Sequence, residues 1–311
     1  MTNEKKSHSI IPLAIFTTVL WGTAIVVAKI GFEYLPPAML SGIRFTLAGL
    51  MLFPVVLSMK LPLSDIKKHW RFMVLFGFVQ TFLQYGLFFM GLNIVPGEIS
   101  AIIIGAGPLF IALMAHFALK NDKFTIRKTI AIVLGIAGVV FISLSNRELT
   151  TTNPLFYRGV TLLIVSNLVG SYTNIMVVKR DSNLSPVMLT MGANFSGGLM
   201  LFVASQFFET PFTPISELPL RFFLALIWLA IIPAAGFSIW YYLLSKPGVK
   251  VSELNIWKFI IPVVGVGMSW MFIEGENPNW NSVIGIIIIS TSLIVLQFPS
   301  SYIKRISKKS Q

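Results

Sequence analysis

Asn255, Lys258 and Pro262 lie at i, i+3 and i+7 inside an otherwise apolar stretch, a spacing that puts all three on one face of a helix. A lysine there offers one positive charge suited to a carboxylate or phosphate, and the proline leaves a backbone carbonyl without its usual donor. The alternative for Lys258 is that its stem carries the ammonium out to the cytoplasmic interface. Two further stripes are neutral: Gln80 and Gln84 at i, i+4 with Tyr85 beside them, and Asn167, Ser171 and Asn174 at i, i+4, i+7. Each serves either as hydrogen-bond partners for a ligand or as glue between helices, worth about 0.6–2 kcal/mol per contact. Trp21 and Trp240 are the aromatic walls that such a binding site would use, whereas aromatics near the ends of apolar stretches suit a membrane interface. The three histidines, His8, His69 and His116, form no metal-ligand spacing and no nucleophile–base pattern, and there is no cysteine. No catalytic residue, metal or cofactor is therefore expected.

Two other charges interrupt apolar runs. Arg44 lies some six residues into its run, roughly 9 Å at 1.5 Å per residue, and is expected to form a structural or gating pair with an acid such as Glu33 or Glu98. Lys29 stands near the end of its run and is read as snorkelling to the interface. Pro108 and Pro262 sit about a third of the way along their runs and are expected to kink them.

The elements that must carry these residues are set by composition. Of 311 residues, 55% are hydrophobic and only 12% charged, far from the quarter charged that a soluble surface needs. Apolar runs long enough to span a bilayer are helices, because lipid leaves no partner for unpaired backbone groups. We place spans at 10–32, 38–58, 72–94, 99–119, 129–146, 156–178, 185–207, 221–245, 253–273 and 281–299. The short basic N-terminus runs into the first span without a cleavage-site pattern and is read as retained. With that terminus inside, eighteen basic residues fall in inner segments and three, Arg147, Arg158 and Arg221, in outer ones. That asymmetry puts both termini in the cytoplasm and accounts for the net charge of +12 without nucleic acid.

The chain also repeats itself. Shifted by about 150 residues, Thr23–Lys29 falls on Thr173–Lys179, Leu50–Phe53 on Leu199–Phe202, and Pro108 near Pro262. Five spans per half is odd, so the second half enters the membrane from the opposite side, as in the inverted repeats of many transporters. The glycine pairs Gly135/Gly138 and Gly265/Gly267 are read as close helix contacts.

Several local patterns resemble the drug/metabolite transporter superfamily in its EamA-like branch: Trp21-Gly22 with Val26–Gly31, Leu35–Leu40, Gly42-Ile-Arg44-Phe45, Gly105–Leu109, Gly135–Gly138 and Ile261–Gly265. Within the branch, the first forty-odd residues and the stretch from Ile239 to Gly265 look most like exporters of cysteine and related amino acids. The family's Gly-Glu after the fourth span is replaced here by Lys120-Asn-Asp122, while Glu274-Gly-Glu276 follows the ninth. The resemblance implies an all-α membrane protein of ten transmembrane helices, two inverted five-helix repeats (1–148 and 149–311) around a central cavity lined mainly by spans 1, 3, 4, 6, 8 and 9. The expected protein is a monomeric secondary transporter in the inner membrane, an exporter of small metabolites such as amino acids or other carboxylates by alternating access. Its substrate-binding residues are Trp21, Gln80, Gln84, Asn167, Ser171, Asn174, Trp240 and Lys258, with Arg44, Pro108 and Pro262 structural or gating. A channel or a non-transporting helical scaffold is the alternative.

Overall fold

The computed structural model describes residues 3–119, 125–145, 153–180, 183–209, 217–249 and 251–297. Lys120-Asn-Asp122, Arg147 and the C-terminal tail lie outside these described residues. Among them all regular structure is helical. In chain order we number α1 (Asn3–Phe32), α2 (Pro37–Ser58), α3 (Ser64–Ile94), α4 (Gly97–Ala118), α5 (Ile126–Ser145), α6 (Phe156–Lys179), α7 (Pro186–Phe208) and α8 (Leu220–Leu244). Three short pieces, Val251–Asn255, the 3₁₀ turn Ile256–Phe259 and Ile260–Phe272, stack as α9, and α10 is Trp280–Gln297.

Seven of these, α1–α4 and α6–α8, contain stretches long and apolar enough to cross a membrane; α5, α9 and α10 contribute shorter apolar stretches. Large side chains such as Phe16, Leu50, Phe53, Leu75, Phe202 and Trp228 remain exposed on the outside of the bundle. A soluble protein would not present so broad an apolar surface to water, whereas hydrocarbon is a neutral solvent for it. The chain is a multi-pass membrane protein.

Local chemistry explains where the helices begin. Pro37 and Pro186 occupy first-turn positions of α2 and α7, where a missing N–H costs nothing. The next free N–H groups find remote carboxylates. Ala38 and Met39 donate to Glu209, beyond α7, at 2.7 and 2.8 Å. Gly97 and Glu98 donate to Glu276, beyond α9, at 2.6 and 2.9 Å. An anion at a helix N-terminus satisfies the orphan donors and the dipole together. Glu276→Ala should therefore lower stability by roughly 1–2 kcal/mol, read as a reduced Tm of the detergent-solubilised protein. Exposed Glu274, two residues away, provides the control; an equal effect of Glu274→Ala would rule out capping as the cause.

Helix neighbours follow a regular scheme. α2 packs on α7, α4 on α9, and α5 on α10; α1 lies against α8 and α9, and α6 against α3 and α4. The α2–α7 crossing is the closest. A Cβ on Gly49 would stand 2.6 Å from the Phe195 amide nitrogen, and one on Gly198 would strike the Thr46 amide nitrogen and the Phe45 carbonyl carbon. Of the glycines expected at close approaches, Gly135 meets Leu109, Gly138 meets Ile289 and Gly265 meets Ala101. Gly267 faces open space, which corrects that one expectation.

Candidate functional site

A cavity of about 100 Å³ lies where α1, α2, α3, α4, α6, α8 and α9 converge. Its wall is laid down by irregularities in the helices. α4 breaks at Ala106, whose φ and ψ of −74° and −5° end one piece before Gly107-Pro108 starts the next. Gly107 lines the cavity there, where a Cβ would come 3.1 Å from Asn167 Oδ1. α9 tightens into a 3₁₀ turn over the four residues that include Lys258. α3 widens into a π-helical stretch over Phe78–Gln84, which delivers Gln84 and the adjoining Tyr85 to the wall. Such departures from α geometry inside a membrane are tolerated where the backbone is buried in protein or lines a cavity.

Lys258 is the centre of the arrangement. Its Nζ lies 5.3 Å from the Trp21 ring centroid and 5.0 Å from that of Trp240, and the two indoles pack with centroids 5.0 Å apart. Each such cation–π contact is worth about 0.5–2 kcal/mol, more as water is excluded. The rings hold the ammonium in place without neutralising it.

Neutral polar groups surround that aromatic clamp. Trp240 donates from Nε1 to Asn174 Oδ1 at 3.2 Å, and Asn255 Nδ2 reaches the same oxygen at 3.4 Å. Asn174 Nδ2 is held by the Gly170 carbonyl at 2.7 Å, and Ser171 donates to the Asn167 carbonyl at 2.7 Å. Asn167 Nδ2 donates to the Ile103 carbonyl at 2.8 Å, one turn before the α4 break. Asn174 thus positions Trp240, while Asn167 braces the broken helix.

Seven of the eight expected binding residues, Trp21, Gln84, Asn167, Ser171, Asn174, Trp240 and Lys258, line this one cavity. Gln80 does not: its side chain is buried, its Oε1 accepts from Thr81 at 2.9 Å, and Thr81 packs against Gly197 of α7. Of Gln80 and Gln84, both within the π-helical stretch, only Gln84 reaches the cavity. Asn255, Lys258 and Pro262 also part company. The 3₁₀ turn leaves Asn255 on Asn174, Lys258 in the cavity and Pro262 against Gly105, where a Cβ would be 2.6 Å from Pro262 Cδ.

Two charges have partners that the sequence does not show. Arg44 has no acidic partner among the described residues; Glu98 accepts instead from Trp270 Nε1 and, at 2.8 Å, from Asn279. The guanidinium turns inward, over the rings of Phe45 at 4.3 Å, Phe89 at 4.2 Å and Tyr85 at 5.4 Å, and faces the cavity. Lys29, near the end of its helix, finds a partner at the end of a neighbouring one. It is half-buried and its Nζ donates at 2.7 Å to the carbonyl of Val95, the residue that ends α3. Tying a cation to a helix C-terminus suits both partners.

Sequence reasoning found Trp240 but missed the rest of the α8 face. Pro233, Phe237 and Tyr241 line the cavity with it, and their i, i+4, i+7, i+8 spacing is the helical signal that could have found them.

The profile of the EamA-like transporter family matches this chain twice, over residues 8–144 and 157–298. The uncharacterized transporter YoaV of Bacillus subtilis is 22% identical, over 92% of this chain and 96% of its own length. A probable amino-acid metabolite efflux pump of Escherichia coli is 23% identical, over 92% and 94%. A solved crystal structure superposes with a TM-score of 0.72 at 19% identity, covering 93% of this chain and 97% of that one, and so shares the fold. With helices that suit a bilayer, a cavity at their convergence and both matches covering nearly the whole sequence, the chain belongs to the EamA-like transporter family.

Proposed function

We propose that the protein is a secondary transporter that exports small metabolites such as amino acids or other carboxylates across the inner membrane by alternating access. The observation that carries this reading is the ammonium of Lys258, which has no acidic partner among the described residues and is clamped by two indoles in a cavity that Arg44 also lines and whose other described lining groups are neutral. A carboxylate would find its countercharge there, the amides and hydroxyl would fix its orientation, and the aromatic rings would hold its apolar part.

Alternating access requires two halves that can rock against each other, and we take residues 1–148 and 149–311 as inverted five-helix repeats, all ten helices spanning. Support comes from the neighbour scheme, which is unchanged when each helix is exchanged for the one five places along: α1 on α8 becomes α6 on α3, and α1 on α9 becomes α6 on α4. The α2–α7 crossing behaves alike, since Gly49 meets Phe195 and Gly198 meets Thr46, and a shift of 149 residues interchanges the two contacts. Basic residues at the end of the first helix of each half follow suit. Lys29 binds the end of α3 at Val95, and Arg180 binds the end of α8 at Ser245 Oγ, 2.8 Å away. The double family match fits the same division. The protein functions as a monomer in this reading, its cavity being complete within one chain.

Both termini are assigned to the cytoplasm. Alkaline phosphatase and fluorescent-protein fusions at the C-terminus give the check: an inner fluorescent signal is expected, and phosphatase activity there would remove the even helix count. Function itself is tested in proteoliposomes. Saturable, competable efflux of amino acids or carboxylates supports the carrier, whereas linear, non-saturating flux would replace it with a channel.

A further inference from the structure

Among the described residues the cavity holds two cations and no acid. Arg44 and Lys258 both line it, and none of its other lining residues is aspartate or glutamate. A pocket shaped for a zwitterion would ordinarily oppose the ammonium of its ligand with a carboxylate, and this wall supplies none.

Arg44 is the more demanding of the two. The residue is only 2% exposed, and its Nε and Nη1 are buried without a hydrogen-bond partner. Aromatic rings flank it, but rings offer no lone pair to a guanidinium, whose planar fork is made for an oxyanion. A buried charge without an acceptor is costly to keep, so a group that supplies one would be bound tightly.

The two cations stand at opposite ends of an aromatic run. Arg44 lies over Tyr85 at 5.4 Å; Tyr85 packs on Phe237 at 5.7 Å, Phe237 on Trp21 at 5.5 Å, and Lys258 lies 5.3 Å from the Trp21 ring. An oxyanion at each end with an apolar body between would fit that sequence of surfaces.

We propose that the preferred substrate is a small dianion of the dicarboxylate class, one carboxylate held by Lys258 and the other by the Arg44 guanidinium. This rests on the carrier reading and narrows it from carboxylates in general to those with two anionic ends.

The full-length protein in neutral detergent is titrated with the α,ω-dicarboxylates from succinate to adipate, with their monoamides and with leucine, following the fluorescence of Trp21 and Trp240. At least one dicarboxylate should bind about tenfold or more tightly than its monoamide and than leucine, the gain expected of one added charge-assisted contact. Arg44→Met should erase that preference and leave monoamide binding within about threefold, and Arg44→Lys should restore part of it. Because Arg44 leaves no protein acid behind when removed, Arg44→Met should fold with wild-type yield and Tm, which separates a binding role from a structural one. Dicarboxylates binding no better than their monoamides, or an unchanged preference in Arg44→Met, would overturn the dianion assignment. In that case saturable transport of leucine by the same protein reconstituted into proteoliposomes would leave the carrier reading standing. Absence of any saturable binding or flux with all these probes would overturn both.

Discussion

Lys258→Ala is expected to slow transport of carboxylate-bearing substrates by tenfold to a hundredfold while uncharged analogues keep rates within about threefold of wild type. The magnitude is that of one charge-assisted hydrogen bond in a partly dry site, about 1.5–3 kcal/mol. The selectivity follows from the surroundings. The ammonium is bound to the protein through ring faces, so among the described residues its loss orphans no carboxylate and breaks no ion pair. Asn174→Ala is the contrasting case. It removes the acceptor of the Trp240 indole N–H and a partner of Asn255, so it loosens the wall for every substrate alike and its effect on charged and uncharged compounds should be equal and modest. Initial rates in proteoliposomes for a carboxylate and its amide, measured in both variants, make the comparison. Wild-type rates for all substrates in Lys258→Ala would sink charge selection by this residue.

The contrast between what the sequence shows and what it hides is physical. Helix positions are legible because hydrocarbon imposes length and apolarity, and proline or glycine marks the breaks; α2 begins at Pro37, one residue before the expected 38. The Asn167–Ser171–Asn174 stripe is legible for a related reason: α6 is a regular helix throughout, so spacing in sequence becomes a shared face in space. The other two stripes are only partly legible, because sharing a face does not decide which side chains reach the cavity. Of Gln80 and Gln84 only Gln84 lines it, and of Asn255, Lys258 and Pro262 only Lys258 does, Asn255 bonding Asn174 and Pro262 packing at Gly105.

Charges were misjudged for another reason. Depth along a helix can be counted from sequence, but the direction of a side chain around it depends on the neighbours. Arg44 is as deep as its position implies, yet it faces Phe45, Tyr85 and Phe89 instead of an acid because Glu98 is already occupied by Trp270 and Asn279. Lys29 lies at the end of its helix, and a carbonyl at the end of α3 is its partner there. Neither set of partners is predictable without knowing which helices touch.

Gly198→Val should be the most damaging single substitution for folding, costing roughly 3 kcal/mol or more and removing most of the folded protein from membrane extracts. Overpacking of a core ordinarily costs about 1–3 kcal/mol because side chains yield. Here the obstacle is backbone: a Cβ at Gly198 would lie 2.8 Å from the Phe45 carbonyl carbon and closer still to the Thr46 amide nitrogen, so α2 and α7 would have to separate. Lipid offers no compensating hydrophobic drive for re-association, and packing between helices is what holds them together. Gly49→Val, facing the Phe195 backbone across the same crossing, should behave in the same way. Gly267→Val is the control, since a Cβ there meets nothing within 4 Å. Size-exclusion profiles of fluorescent fusions would read folded yield directly. A monodisperse Gly198→Val peak at wild-type height would show that the two helices do not meet at this crossing, and would remove the glycine contact from the support for the paired halves.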